Sequence, residues 1–172
     1  GYGVDAPERQ WDDFKGQDLK GKVAVFLVND PDFAAQAGEP VAGKFKGRTM
    51  TYYGRWTYKF EEAARQGATG AIIIHETEPA SYPWEVVRNS WSGAQADLVR
   101  DNGGADRTTF ESWITVDVAR KLFEEAGLDY VVHTTDITND PEVGKQWGLV
   151  EAPGLDVQNA WTIATGTAEV VV

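Results

Sequence analysis

Thr49-Met50-Thr51-Tyr52-Tyr53-Gly54-Arg55-Trp56-Thr57-Tyr58-Lys59-Phe60-Glu61-Glu62-Ala63-Ala64-Arg65-Gln66-Gly67-Ala68-Thr69-Gly70-Ala71-Ile72-Ile73-Ile74-His75 is the stretch on which the fold turns. It opens on an aromatic loop. From Tyr58 the apolar residues Phe60, Ala63 and Ala64 recur at helical spacing, with Glu61, Glu62 and Arg65 among them, which predicts an amphipathic helix. Thr57 is the expected N-cap, and the two glutamates favour the early turns. Gly67 is the expected C′ residue, because a helix commonly ends in a left-handed conformation that glycine adopts without steric penalty. Ala71–Ile74 then reads as a buried strand.

Upstream, Val23-Ala24-Val25-Phe26-Leu27-Val28 is a second apolar run, bounded by Gly21 and by Asn29-Asp30-Pro31. Its length and β-branched content predict a strand buried on both faces. Two such strands with a helix before the second predict a parallel crossover. The carboxylates of Asp30 and Asp32 fall at a strand end, where α/β folds often bind ligands. The competing expectation is an Asx-turn that simply stops the strand.

The remainder is less regular. Residues 1–21 read as irregular, and 33–48 as a surface loop or short helix. Residues 76–109 read as a long excursion without an evident core, which tends to be functional. Trp113-Ile114-Thr115 reads as a short strand. Residues 116–128 read as a helix whose apolar face carries Val118, Ala119, Leu122, Phe123 and Ala126, ended by Gly127. Beyond it the composition shifts to Thr, Val and Asn, with strands expected at 130–135, 162–165 and 167–172.

The chain has 172 residues, 42% of them hydrophobic, enough for one domain with a sizeable core. Its net charge of −11, with Lys and Arg scattered, argues against nucleic acid and against an anionic membrane surface. There is no cysteine, hence no disulfide and no thiolate metal site. No apolar run approaches the roughly 20 residues that span a bilayer. No signal peptide is evident, and the start at Gly1 reads as a mature end or a domain cut from something larger.

A search for chemistry returns little. The two histidines, His75 and His133, match no metal spacing such as His-Glu-x-x-His. There is no Gly-x-Ser-x-Gly elbow and no phosphate loop. Paired carboxylates such as Asp12-Asp13, Asp30/Asp32 and Glu61-Glu62 carry little signal in so acidic a chain. The rings are more informative. Tyr52, Tyr53, Trp56 and Tyr58 surround Arg55, and Tyr82, Trp84 and Trp91 form a second group. Rings with polar edges suit recognition; they equally suit a satellite core under a long loop.

Several of these residues carry a resemblance. Tyr2-Gly3, Trp11-Asp12-Asp13, Asp18 to Val23, Asn29-Asp30-Pro31 and above all Thr51 to Ala63 resemble the protease-associated (PA) domain, in particular the one inserted in bacterial M28-type zinc aminopeptidases. His75-Glu76-Thr77, Tyr82-Pro83-Trp84, Asn89-Ser90-Trp91 and Trp113-Ile114-Thr115 fit the same pattern. The resemblance covers residues 1–128. It implies a swivelling β/β/α fold: a small open barrel or sheet of mixed strands with two or three helices. It also implies a non-catalytic role beside a peptidase, controlling substrate access or binding peptide or protein partners. Zinc would be held only by a separate catalytic domain, and a secreted or periplasmic location follows from the same resemblance.

Residues 129–172 depart from the family pattern, in which an apolar strand runs directly into Gly-Tyr-Gly. Thr167–Val172 has the character of that strand, as if the domain were circularly permuted or engineered. The expectation is thus a single domain over 1–172, with the tail's strands completing the sheet. Tyr52, Tyr53, Arg55, Trp56, Tyr82, Trp84 and Trp91 are the candidate binding surface. The alternatives are a free-standing domain without activity of its own, and a hydrolase using Asp30, Asp32 and His75.

Overall fold

A computed structural model describes residues 1–94, 96, 98–128 and 130, together with the backbone of Glu169–Val171. The strands expected at 130–135 and 162–165 lie outside the described residues, Tyr130 excepted.

The centre is a parallel sheet of β3 (Lys22–Leu27), β4 (Gly70–His75), β5 (Phe110–Thr115) and β6 (Glu169–Val171), in the order β5-β4-β3-β6. Val23 pairs with Gly70 and Leu27 with Ile74, so the crossover read from the opening stretch is present. β3 and β4 are apolar without alternation because both faces of the sheet are covered. Ala24, Phe26, Ala71, Ile73 and Trp113 face helix α1 (Trp56–Arg65) and helix α3 (Trp84–Trp91), meeting Phe60, Ala63 and Val87. Val23, Val25, Leu27, Ile72, Ile74 and Ile114 face helix α4 (Val116–Glu125), meeting Ala119. Each fully buried Ile or Leu in these layers contributes about 1.5–3 kcal/mol of transfer free energy.

Both long crossover helices end alike. Gly67 has φ +78 and its N–H bonds the Ala64 carbonyl, while Ala68 N–H bonds that of Ala63. Gly127 has φ +73, with Gly127 N–H on Glu124 and Leu128 N–H on Phe123. These paired bonds satisfy carbonyls that the helix leaves open.

Several expectations are corrected. Among the described residues the main sheet is open, as expected, but its strands are all parallel and not mixed; the antiparallel pairing is a separate ribbon, β1 (Asp5–Ala6) with β2 (Trp11–Asp12). Four α-helices among the described residues, one of them the single turn α2 (Thr77–Ala80), replace the two or three expected. Thr57 is not the N-cap: α1 starts at Trp56, after extended Arg55. The cap-type bond comes earlier, where Thr51 accepts from Tyr53 N at the 3₁₀ turn Tyr52–Gly54. Val118 is on the exposed side of α4, in its first turn, where Thr115 accepts the Val118 amide. The 76–109 excursion is not coreless, because α2 and α3 bury Ala80 and Val87. Residues 33–48 stay irregular but send Val41 and Phe45 into a third cluster with Val4, Ala6 and Tyr58.

β6 runs parallel to β3, with Lys22 opposite Glu169 and Ala24 opposite Val171. The carbonyl of Gly1 accepts from Leu27 N at 2.9 Å. Lys22 O bonds Thr69 N on the β4 side, so by strand alternation Leu27 N points to the β6 side. Continuing the β3–β6 register, Leu27 N would bond the carbonyl two residues beyond Val171. Gly1 stands at that place.

Candidate functional site

In open parallel sheets ligands collect beyond the carboxyl ends of the strands, where the chain switches direction across the sheet. Here that point lies between β3 and β6. The chain's own N-terminal segment occupies it. Besides the Gly1–Leu27 bond, Lys59 Nζ donates to the carbonyls of Tyr2 at 2.6 Å and Asn29 at 2.9 Å.

The polar groups just past β3 hold loops. Asp30, fully buried, accepts from Thr51 N at 2.6 Å and Thr51 Oγ1 at 2.7 Å. Burial pushes its carboxyl above the usual range, and the two Thr51 bonds and the Lys59 charge pull it back. Asp32 Oδ2 accepts from Phe45 N at 2.8 Å and Gly47 N at 2.9 Å, while its Oδ1 is buried with no partner among the described residues. These carboxylates are therefore neither a simple Asx-turn nor an open pair: they reach across to the 45–54 segment and fix it.

His75 is 4% exposed at the end of β4. Its ring lies 5.6 Å from the Tyr82 ring, 5.6 Å from Trp84 and 6.1 Å from Trp113. Its Nε2 is 3.0 Å from the Tyr82 carbonyl, which only accepts, so Nε2 carries the proton. Among the described residues no three His, Asp or Glu side chains are grouped to hold a metal ion. No described helix is long and apolar enough to cross a membrane.

The structure redistributes the predicted aromatic surface. Tyr82 and Trp84 belong to the His75 box. Trp91 instead joins the opening loop, its ring 5.6 Å from Trp56 and 5.8 Å from Phe60, both edge-on. Tyr52 and Tyr53 stand edge-on to each other and to Tyr58, with centroids 5.0–5.9 Å apart. Tyr58 is the buried post of this trio; its hydroxyl takes Asp5 N and gives to Asp5 O, each at 3.1 Å. Arg9 lies over the Tyr53 ring and Arg65 over Tyr58. The exposed remainder is Tyr52 at 54%, Trp56 at 38%, Met50 and Arg55.

Sequence reasoning missed Lys59. It is 0% exposed, and burial lowers its pKa from 10.5 to about 7 against the opposing pull of Asp13 and Asp30. Asp13 in turn takes Val4 N at 2.9 Å and Trp11 Nε1 at 2.8 Å. A second concave area, lined by Leu98, Val99, Arg107 and Phe110, adjoins the start of β5, at the opposite end of the sheet.

No family model, curated protein or solved structure matches this chain.

Proposed function

We propose that this chain is a non-catalytic accessory domain of the protease-associated type, working beside a zinc aminopeptidase catalytic domain and binding that domain or a peptide substrate. The observation that carries the reading is a division of labour. The carboxylates past β3 and the imidazole of His75 are engaged in internal bonds, while Tyr52 and Trp56 keep ring surface in water on a scaffold fixed by those bonds. Exposed rings on a rigid support bind without a large ordering cost. A hydrolase using Asp30, Asp32 and His75 would have to release those groups first.

The test is a Tyr52→Ala/Trp56→Ala double variant, assayed on an immobilised random octapeptide library. Retention should fall about tenfold or more, as for loss of an aromatic hot spot, with far-UV circular dichroism unchanged. Stoichiometric zinc together with peptide turnover by this chain would overturn the reading.

A second feature supports reading the tail as the strand that precedes Gly-Tyr-Gly in the family pattern. Gly1 and β6 share one edge of β3 in one register, with a single residue's length between Val171 and Gly1. Moving residues 168–172 to precede Gly1 should therefore leave the melting temperature within about 4 °C of the parent, the span of roughly 1 kcal/mol for a chain of this size. A larger fall would show that the register does not carry over.

A further inference from the structure

We infer that the Trp56–Trp91 surface takes an acidic peptide segment, one that sets an aromatic or apolar side chain between carboxylates. This rests on the binding reading above and names the class of ligand. A chain of net charge −11 repels anions over most of its surface, but the local charges here are arranged differently. Three acids beside the aromatic loop, Glu8, Glu61 and Glu62, are already matched. Glu61 accepts from the Tyr52 hydroxyl at 2.6 Å and lies 3.8 Å from Arg65. Glu62 pairs with Arg65 at 2.7 Å and takes Gln66 Nε2 at 2.8 Å. Glu8 accepts from the Tyr53 hydroxyl at 2.6 Å and pairs with Arg9 at 3.3 Å.

Two arginines remain. Arg55 is exposed and directly precedes Trp56. Arg88 is exposed on α3, one turn before Trp91. Neither has an ion-pair or side-chain hydrogen-bond partner among the described residues. Glu85, a turn before Arg88, is exposed and is in no ion pair with it among the described residues. The ring contact at 5.6 Å joins the helix that begins after Arg55 to the helix that carries Arg88. A guanidinium offers a planar fork that fits a carboxylate through two parallel bonds. Each arginine neighbours one ring of the pair along the chain, and the exposed part of Trp56 offers apolar area to a side chain set between two acids.

The experiment uses three fluorescein-labelled heptapeptides read by anisotropy: Gly-Glu-Asp-Phe-Asp-Glu-Gly, the same peptide with lysines for the acids, and the same with serines. The acidic peptide should bind about tenfold or more tighter than the lysine peptide, and high salt should weaken it. An Arg55→Glu/Arg88→Glu double variant should remove that preference or invert it. Both side chains are exposed and Arg55 makes no side-chain cap bond, so the fold, checked by circular dichroism, should persist. Equal binding of acidic and lysine peptides, or acidic-peptide affinity unchanged in the charge-reversed variant, overturns the inference. If the serine peptide binds and loses its affinity in Trp56→Ala while charge has no effect, the binding reading stands and the acidic class falls. If no peptide binds, the inference is overturned and peptide recognition by this surface falls with it.

Discussion

Replacing Lys59 by methionine is expected to destabilise the protein by about 2–4 kcal/mol, the scale for leaving two internal carbonyls without their donor. The side chain sits in α1 but serves two other segments. Its Nζ donates to the Tyr2 and Asn29 carbonyls, and its charge faces Asp13 and Asp30. Methionine fills much of the volume. It leaves the Tyr2 and Asn29 carbonyls without their donor. The loss should fall on the junction between the N-terminal segment and β3, so exchange protection of Leu27, whose amide bonds Gly1, should drop with global stability.

The same residue sets a pH dependence whose sign can be worked out. The Lys59 pKa is about 7 in the folded state against 10.5 for an ordinary lysine. Between those values the unfolded chain holds a proton that the folded chain has released. Stability therefore rises with pH across that window. Urea melts of the parent at pH 7.5 and 9.5 should show the rise, and Lys59→Met should lose most of it, keeping the smaller rise from the Gly1 amine, whose pKa burial lowers from 8.0 to about 6. A parent curve flat across the window, or a variant that rises equally, would contradict the assignment of Lys59 as the group responsible.

What the sequence disclosed was whatever local pattern determines. The runs 23–28 and 71–74 could be read as parallel strands because a sheet covered on both faces leaves no alternation to confuse. Gly67 and Gly127 marked helix ends because the left-handed turn there selects glycine. Lys59 was illegible: between Tyr58 and Phe60 it fits the polar side of an amphipathic helix. Its burial is imposed by carbonyls 57 and 30 residues away in the chain. Val41 and Phe45 were hidden for a related reason, since irregular segments have no period and their place is set by the Asp32 carboxylate. The aromatic loop was found, and Tyr82, Trp84 and Trp91 do pack on one core cluster, but which rings meet was not legible. Proximity in sequence grouped Trp91 with Tyr82 and Trp84, whereas one face of α3 carries Trp91 to Trp56 and the turn before α3 leaves Tyr82 at His75.

Gly54→Val should be the most damaging single change in the aromatic loop, lowering stability by about 2–3 kcal/mol and shifting the loop itself. A Cβ at Gly54 would lie 3.0 Å from Asn29 C, 3.0 Å from Asp30 N and 2.8 Å from Met50 Cγ. Met50 is partly exposed and flexible, so its end can swing aside. The Asn29–Asp30 backbone cannot. Asn29 N donates to Gly54 O at 3.1 Å, Asn29 Nδ2 to Pro79 O at 2.7 Å, and Asn29 O takes Lys59. The 51–54 segment must therefore move away from β3. That movement stretches the Thr51–Asp30 bonds, and it displaces Tyr52, Tyr53 and the start of α1 together. For a chain of this size about 1 kcal/mol corresponds to roughly 2–4 °C in melting temperature, so a fall of about 5–10 °C is expected. The near-UV circular dichroism of the edge-on tyrosine trio should weaken in parallel, and the peptide binding proposed for Trp56 should fall although no ring has been removed. Gly54→Ala, which adds the Cβ alone, should show the same changes at smaller size. A valine variant that melts with the parent and keeps its near-UV signal would mean that the loop is not seated on the end of β3. The coupling between the buried carboxylates and the exposed rings would then be lost with it.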